Sequence, residues 1–180
     1  VTGFLTWFLV TAKILPFTAA TCIGVSVVCA VGCGGLYHFQ GKNGIDCFPS
    51  GKVNLIYGEE ILFFIFFLMW TYFAGFRPQA YGTEKFMDYG FMEAMMRSTT
   101  LPARDLWYSE GTINYYYGGQ YFAVFLTKLT GSKVELTYNL MRTFVAAFAF
   151  VLPFSLVRQM SVDRLKGSLT GKKRCLPAVA

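Results

Sequence analysis

The side chains that could do chemistry lie between residues 82 and 120, where charged and aromatic residues occur together between strongly apolar regions. Glu84 and Asp88 are four residues apart, which places both carboxylates on one face of a helix. A carboxylate can accept a proton from a reacting hydroxyl, and neighbouring cations can hold an anionic group. The remaining candidates for substrate binding are Lys85, Arg97, Arg104, Asp105, Trp107, Asn114, Tyr115, Tyr116 and Tyr117.

The same side chains also have a purely structural interpretation. Trp and Tyr are enriched at membrane interfaces because their rings are amphipathic. Glu84 and Asp88 can likewise form interfacial ion pairs with Lys85 and Arg97. Residue types and spacing leave both interpretations open.

The composition indicates that these residues lie at a membrane. The chain has 54% hydrophobic and 14% charged residues, whereas about one-quarter of a soluble domain is charged. We therefore predict an all-α polytopic membrane protein. The net charge of +6 is scattered through loops and gathered in residues 158–174, without an aromatic-interleaved basic stripe. We accordingly expect no nucleic-acid partner.

Five apolar segments are predicted as membrane spans, and interfacial helices are predicted in the loop 77–118. A helix needs roughly 20 residues to cross the hydrocarbon layer, so we interpret the first segment as a truncated span. We expect residues 1–180 to form a single membrane domain that is a fragment of a longer chain. The predicted spans cover about residues 1–12, 17–37, 60–76, 115–130 and 138–157.

Two local features concern the candidate residues directly. Thr83 can cap a helix running to about Ser98, whose Met and Phe residues would anchor it at the interface.

Arg142 lies about one turn inside the last predicted span. A charge at that depth is costly unless it pairs or reaches the headgroups, which makes Arg142 a secondary candidate.

Cysteine and histidine usage predicts no metal site. The five cysteines include no CxxC pair, and Cys22, Cys29 and Cys33 lie in an apolar segment, where buried thiols are common. His38 is the single histidine. A histidine-dependent triad would therefore need residues from elsewhere.

Several spaced blocks resemble a known membrane protein family. The blocks are EKFMDYGFMEAMMRSTTLP (residues 84–102), RDLW (104–107) and INYYYG (113–118), joined by YNL at 138–140. Together they resemble the signature of the YYY-domain membrane proteins, a poorly characterised family named for its tyrosine triplet. The agreement runs from about Glu59 to Met160. Leu106 stands where the family usually has proline, and glycine follows the triplet where an aromatic residue is usual.

The layout of that family is similar to that of the C-type membrane glycosyltransferases, which use polyprenyl-phosphate sugars as donors. The likeness implies inverting sugar transfer to an unknown acceptor, with Glu84 and Asp88 as candidate catalytic bases. It implies Lys85, Arg97 and Arg104 as phosphate partners, and Trp107 with the tyrosines as walls for a sugar or prenyl chain. Implied partners are membrane lipid, the lipid-linked sugar and the remaining chain, with a divalent metal left open as cofactor.

Two other functions fit the sequence, so whether the protein is an enzyme stays open. A transporter or flippase for an amphipathic lipid would line its path with the same charges. A non-catalytic membrane scaffold would use the central loop for docking.

The membrane orientation receives conflicting predictions. If all five segments cross, residues 77–114 and 158–174 lie on one face, whose Lys and Arg excess favours the cytoplasm. The glycosyltransferase likeness places that face outside. We expect an integral protein of the cell membrane with an extracytoplasmic central loop.

Overall fold

The computed structural model describes residues 1–42, 53–82 and 84–174. Apart from one antiparallel bridge between Arg104 and Thr112, the regular structure in these ranges is helical. The all-α prediction is confirmed. The helices are α1 (Thr2–Thr11), α2 (Ala19–Lys42), α3 (Val53–Gly75), α4 (Lys85–Arg97), α5 (Gly118–Thr130) and α6 (Val134–Arg174).

Three of the described helices are long and apolar enough to cross a membrane. The crossing segments are Ala19–Gln40, Val53–Gly75 and Val134–Leu165. None of the residues of α3 is buried against the rest of the protein. A helix that is apolar around its whole circumference is typical of a membrane span. The protein is therefore a polytopic membrane protein.

The other two predicted spans form shorter helices. Helices α1 and α5 have 10 and 13 residues, so even α5 is only about 20 Å long, against a hydrocarbon layer of about 30 Å. Helix α5 begins at Gly118, after the tyrosine triplet, and contacts α2, α4 and α6. We call α1, α4, α5, residues 98–117 and the first two turns of α6 the head layer.

The head layer has the main buried core. Helix α4 turns Phe91, Met92 and Met95 into this core, so these side chains pack against protein, although the sequence suggested anchoring in lipid. Glu84 occupies the N-cap position, and Thr83 lies outside the described residues. The larger core residues are Val10, Phe17, Phe91, Met92, Met95, Leu101, Ile113, Tyr121, Val124, Phe125, Val134 and Tyr138.

Helices α3 and α6 form an antiparallel pair below the head layer. The hydroxyl of Thr71 donates to Thr143 Oγ1 at 3.1 Å, and the hydroxyl of Ser155 donates to Glu59 Oε1 at 2.8 Å. Stacked or tilted rings lie between these contacts, with centroids 4.7 Å apart for Phe63 and Phe148 and 4.6 Å for Phe66 and Phe150. This pairing places residues 77–114 and 158–174 at opposite ends of α6.

Lys128 ties α5 to α4 and to the segment before α2. Its ammonium group donates to the carbonyl oxygen of Met96 at 2.9 Å and lies 4.6 Å from the centroid of the Phe17 ring. The carbonyl belongs to the last turn of α4, where helical carbonyls lack a partner and a cation is favoured. Lys128 therefore caps the C-terminal end of α4.

The antiparallel register of α3 and α6 predicts a specific crosslink. With the five native cysteines replaced, Thr71→Cys combined with Thr143→Cys should be linked by a short bifunctional methanethiosulfonate, detected as a joined peptide pair by mass spectrometry. Thr71→Cys with Ser155→Cys should remain unlinked, because 12 residues of α6 correspond to about 18 Å. A linked 71–155 pair without a 71–143 pair would contradict this register.

Replacing Lys128 by methionine should destabilise the protein. A hydrogen bond from a charged donor contributes about 1.5–3 kcal/mol, so we expect the apparent Tm in detergent to fall by roughly 3–10 °C. The control is Lys133→Met, since Lys133 is exposed in the turn before α6. Equal falls for both variants would show that the capping contact is unimportant.

Candidate functional site

Asp88 lies at an open cavity lined by α4, α5 and α6. Its Oδ1 accepts a hydrogen bond from Gln120 Nε2 at 2.7 Å, which fixes the carboxylate. The cavity has a volume of about 350 Å³. We call it the Asp88 cavity, and its lining residues are Asp88, Met92, Gly119, Gln120, Ala123, Tyr138, Met141, Arg142 and Val145.

A second cavity opens between α3 and α6, next to the start of α4. It has a volume of about 580 Å³, and Arg77, Lys85 and Arg142 line it together with apolar and aromatic side chains. The indole N–H of Trp70, another lining residue, is buried without a hydrogen-bond partner in the described structure. We call this the Lys85 cavity; its other lining residues are Phe73, Ala74, Phe76, Thr143 and Ala146.

Arg142 lines both cavities. Its Nη1 donates to Asn139 Oδ1 at 3.2 Å, and its Cζ lies 5.6 Å from the centroid of the Tyr138 ring. Arg142 directly follows the two turns of α6 that belong to the head layer. The next residue, Thr143, accepts a hydrogen bond from Thr71, which lies near the end of α3. Arg142 therefore lies at about the level at which α3 ends. The charge is therefore at the boundary between the head layer and the spans, with partners that hold it.

Glu84 and Asp88 share one side of α4, as their spacing predicts, but differ in exposure. Glu84 is exposed at the N-cap position, whereas Asp88 is half-buried. The charges of both contribute to raising the pKa of Tyr115. Of the two acids, Asp88 is the one that lines a cavity described above.

Tyr115 and Tyr116 form a stacked pair. Their ring centroids are 3.9 Å apart, and the Tyr115 hydroxyl donates to that of Tyr116 at 2.6 Å. This hydrogen bond is the main cause that raises the pKa of Tyr115 to about 12, followed by desolvation and the neighbouring negative charges. Tyr115 is therefore a neutral phenol at physiological pH.

Arg97 and Arg104 lie in a third cavity, away from Asp88. This cavity has a volume of about 410 Å³, and Asp105 also lines it. Residues nine apart on a helix are about half a turn out of phase, so Asp88 and Arg97 occupy opposite sides of α4. We call it the Arg97 cavity, and its remaining lining residues are Ala94, Ser98, Thr99, Thr100 and Leu106.

Asp105 and Trp107 shape the loop that follows α4. Oδ1 of Asp105 accepts hydrogen bonds from the backbone N–H groups of Trp107 at 2.8 Å and Tyr108 at 3.1 Å, which closes a turn. The Trp107 ring packs edge-on against Phe86 and Phe91, with centroids 6.3 and 5.8 Å away. Both candidates therefore have structural contacts in this loop.

Tyr117 and Asn114, the last two predicted site residues, lie at separate places in the head layer. The hydroxyl of Tyr117 accepts a hydrogen bond from Trp7 Nε1 at 3.3 Å, which connects the triplet to α1. Asn114 is exposed on the surface of the head layer. The structure thus distributes the predicted residues over three cavities, several structural contacts and the exposed surface.

The sequence prediction omitted Gln120, Arg77 and Trp70. Gln120 is 32 residues from Asp88, so no local spacing could connect them. Arg77 had a usable signal, because it is a cation directly after an apolar span. Within the described ranges, no three His, Cys, Asp or Glu side chains lie close enough to hold a metal ion.

Comparison with known proteins gives one match. The model of the family described as "Uncharacterized membrane protein (DUF2298)" matches residues 1–179. No curated protein and no solved structure matches the chain. The match agrees with the resemblance to a poorly characterised membrane protein family, while the likeness to C-type glycosyltransferases stays a prediction. The chain therefore belongs to this uncharacterised family of membrane proteins.

Proposed function

We propose that the protein transfers a sugar from a polyprenyl-phosphate donor to an acceptor hydroxyl, with Asp88 as general base. The observation that carries this proposal is that Arg142 lines both the Lys85 cavity and the Asp88 cavity. A phosphate held by Arg142 would therefore lie beside the cavity that contains the carboxylate. Such a transfer needs a base near the acceptor and positive charge near the departing phosphate.

The Lys85 cavity supplies the chemistry that a lipid phosphate requires. Arg77, Lys85 and Arg142 provide three cations, and guanidinium groups bind phosphate oxygens through paired hydrogen bonds.

The surroundings of the Lys85 cavity suit the prenyl chain. Phe73 and Phe76 line the cavity and expose more than half of their surface. Helix α3 below them is apolar, and none of its residues is buried by the rest of the protein. A prenyl chain can therefore remain in the bilayer while its phosphate reaches the cations.

The Asp88 carboxylate is arranged to take a proton. Gln120 occupies Oδ1, which leaves Oδ2 for the acceptor hydroxyl. The acceptor oxygen attacks the anomeric carbon, its proton passes to Asp88, and the bond from that carbon to the phosphate oxygen breaks. The electron pair leaves on the polyprenyl phosphate, whose charge Arg142 and Lys85 stabilise. Attack opposite the leaving group inverts the anomeric centre.

The contacts of Asp88 favour this proposal over a scaffold. A scaffold would leave the acid in open solvent or pair it fully with cations. Asp88 instead bonds a neutral amide and lines a cavity. A lipid flippase would share the phosphate site but would not need a carboxylate held with one free oxygen.

We further propose that the head layer is extracytoplasmic and that the membrane is the cell membrane. With α2, α3 and α6 as spans, residues 158–174 lie at the end opposite the head layer. They carry six Lys and Arg residues in one continuous stretch of α6. The Lys and Arg residues of the head side, Arg97 and Arg104 among them, are scattered over several helices and loops. A dense basic cluster at the end of a span favours a cytoplasmic C-terminal end of α6.

Substituting Asp88 should abolish transfer, while substituting Glu84 should not. Membranes containing full-length protein are supplied with sugar-labelled polyprenyl-phosphate glucose or mannose, and the initial rate of sugar transfer is measured. Removing a general base costs about 10²–10⁴-fold, so Asp88→Asn should lose nearly all activity. Glu84→Gln should remain close to wild type. Full activity in Asp88→Asn would eliminate the proposed base.

Binding of the lipid phosphate should depend on Arg142. We expect Arg142→Gln to weaken the binding of fluorescent polyprenyl phosphate to protein in nanodiscs about tenfold, through loss of a charge-assisted contact. Arg104→Gln is the control, because Arg104 lines a cavity across α4 from Asp88. Equal weakening by both variants would indicate general charge attraction instead of a site in the Lys85 cavity.

The orientation can be tested by labelling from outside intact cells. In a variant without native cysteines, Tyr116→Cys should react with a membrane-impermeant maleimide, since Tyr116 is 73% exposed in the head layer. Arg164→Cys, at an exposed position toward the other end of α6, should react only after permeabilisation. The reverse pattern would place the head layer in the cytoplasm.

A further inference from the structure

The Arg97 cavity is not used in the proposed transfer, and its lining has a distinct chemistry. Two guanidinium groups, one carboxylate and three hydroxyl residues surround a volume of about 410 Å³, within the usual range for small-molecule sites. We propose that this cavity binds an anionic monosaccharide, meaning a sugar that carries a phosphate or a carboxylate. The site is separate from the donor site.

The two arginines supply the requirement for an anion. Arg97 belongs to the last turn of α4, where a cation suits the helix dipole, but Arg104 lies on the following loop and has no such role. Neither guanidinium makes a hydrogen bond or ion pair with another described residue. Both side chains are exposed, so an anion can reach them from solvent, and neither has to break a contact within the described residues to bind it.

The walls of the cavity are held in place without a ligand. The hydroxyl of Ser98 donates to the Thr100 carbonyl at 2.6 Å, and the Thr100 N–H donates back to Ser98 Oγ at 3.1 Å. The carbonyl of Thr99 accepts the N–H of Phe17 at 2.7 Å. Such a preformed loop lowers the entropic cost of binding.

The other lining groups match a sugar better than a bare anion. Asp105 uses Oδ1 for its turn, so Oδ2 can accept from a sugar hydroxyl. The hydroxyls of Thr99 and Thr100 make no hydrogen bond to another described residue and can donate or accept. Ala94 and Leu106 add a small apolar surface for the C–H groups of a pyranose ring.

The position of the cavity makes the inference independent of the proposed transfer. Asp88 and Arg97 lie on opposite sides of α4 because nine helical residues correspond to about half a turn out of phase. Substitution of Asp88 should therefore leave this site intact. Asp88→Asn protein provides a background in which binding can be measured without turnover.

Isothermal titration of the full-length protein in detergent tests the proposal. The titrants are glucose 1-phosphate, glucuronate, glucose and inorganic phosphate, with Asp88→Asn as the protein. We expect at least one anionic sugar to bind. Glucose lacks the anionic group and phosphate lacks the sugar ring, so each should bind at least about tenfold more weakly. The double variant Arg97→Gln, Arg104→Gln should lose at least about tenfold in affinity for that sugar.

A second variant tests the cavity without altering charge. Ala94→Phe should fill the space and reduce binding similarly, while the apparent Tm shows whether each variant is folded. Absence of binding by both anionic sugars, or affinity unchanged in both variants, would overturn the proposal. Phosphate binding as tight as glucose 1-phosphate, with no glucuronate binding, would overturn the sugar assignment.

Discussion

Helix α6 is the constraint on which the rest of the structure depends. Its first two turns carry Val134 and Tyr138 into the buried core of the head layer, and its middle pairs with α3 through Thr143 and Ser155. Because one continuous helix passes through both regions, the packing of its first turns in the head layer fixes how deep every later residue of α6 lies along the spans. Arg142 reaches the boundary between head layer and spans for this reason.

The phase of α4 decides which charged residues can act together. Its buried side, with Met92 and Met95, packs on the core, and the residues beside that stripe face two different cavities. Asp88 reaches the cavity against α5 and α6, whereas Arg97 reaches the one under the loop 98–106. A helix of 13 residues thereby separates two polar sites that look continuous in sequence.

The sequence predicted what depends on local pattern and less of what depends on distant contacts. The helical class, α4 and the three long apolar helices follow from composition and periodicity. Helix α5 carries the apolar run of residues 121–126, but Tyr121, Val124 and Phe125 are buried in protein, and composition cannot distinguish burial in protein from burial in lipid. The bond between Asp88 and Gln120 had no local signal at all.

Asp88 and Arg142 line the same cavity but do not form an ion pair, because each has another partner. A guanidinium bonded to Asp88 could occupy both carboxylate oxygens at once, whereas the amide of Gln120 bonds Oδ1 alone. Arg142 bonds Asn139 and lies over Tyr138 instead of pairing with Asp88. Asp88 therefore keeps an acceptor and Arg142 keeps donors that no other described side chain occupies, and both residues line the Asp88 cavity. A ligand with an anionic group and a hydroxyl would engage both charges at once, which an ion pair between them would prevent.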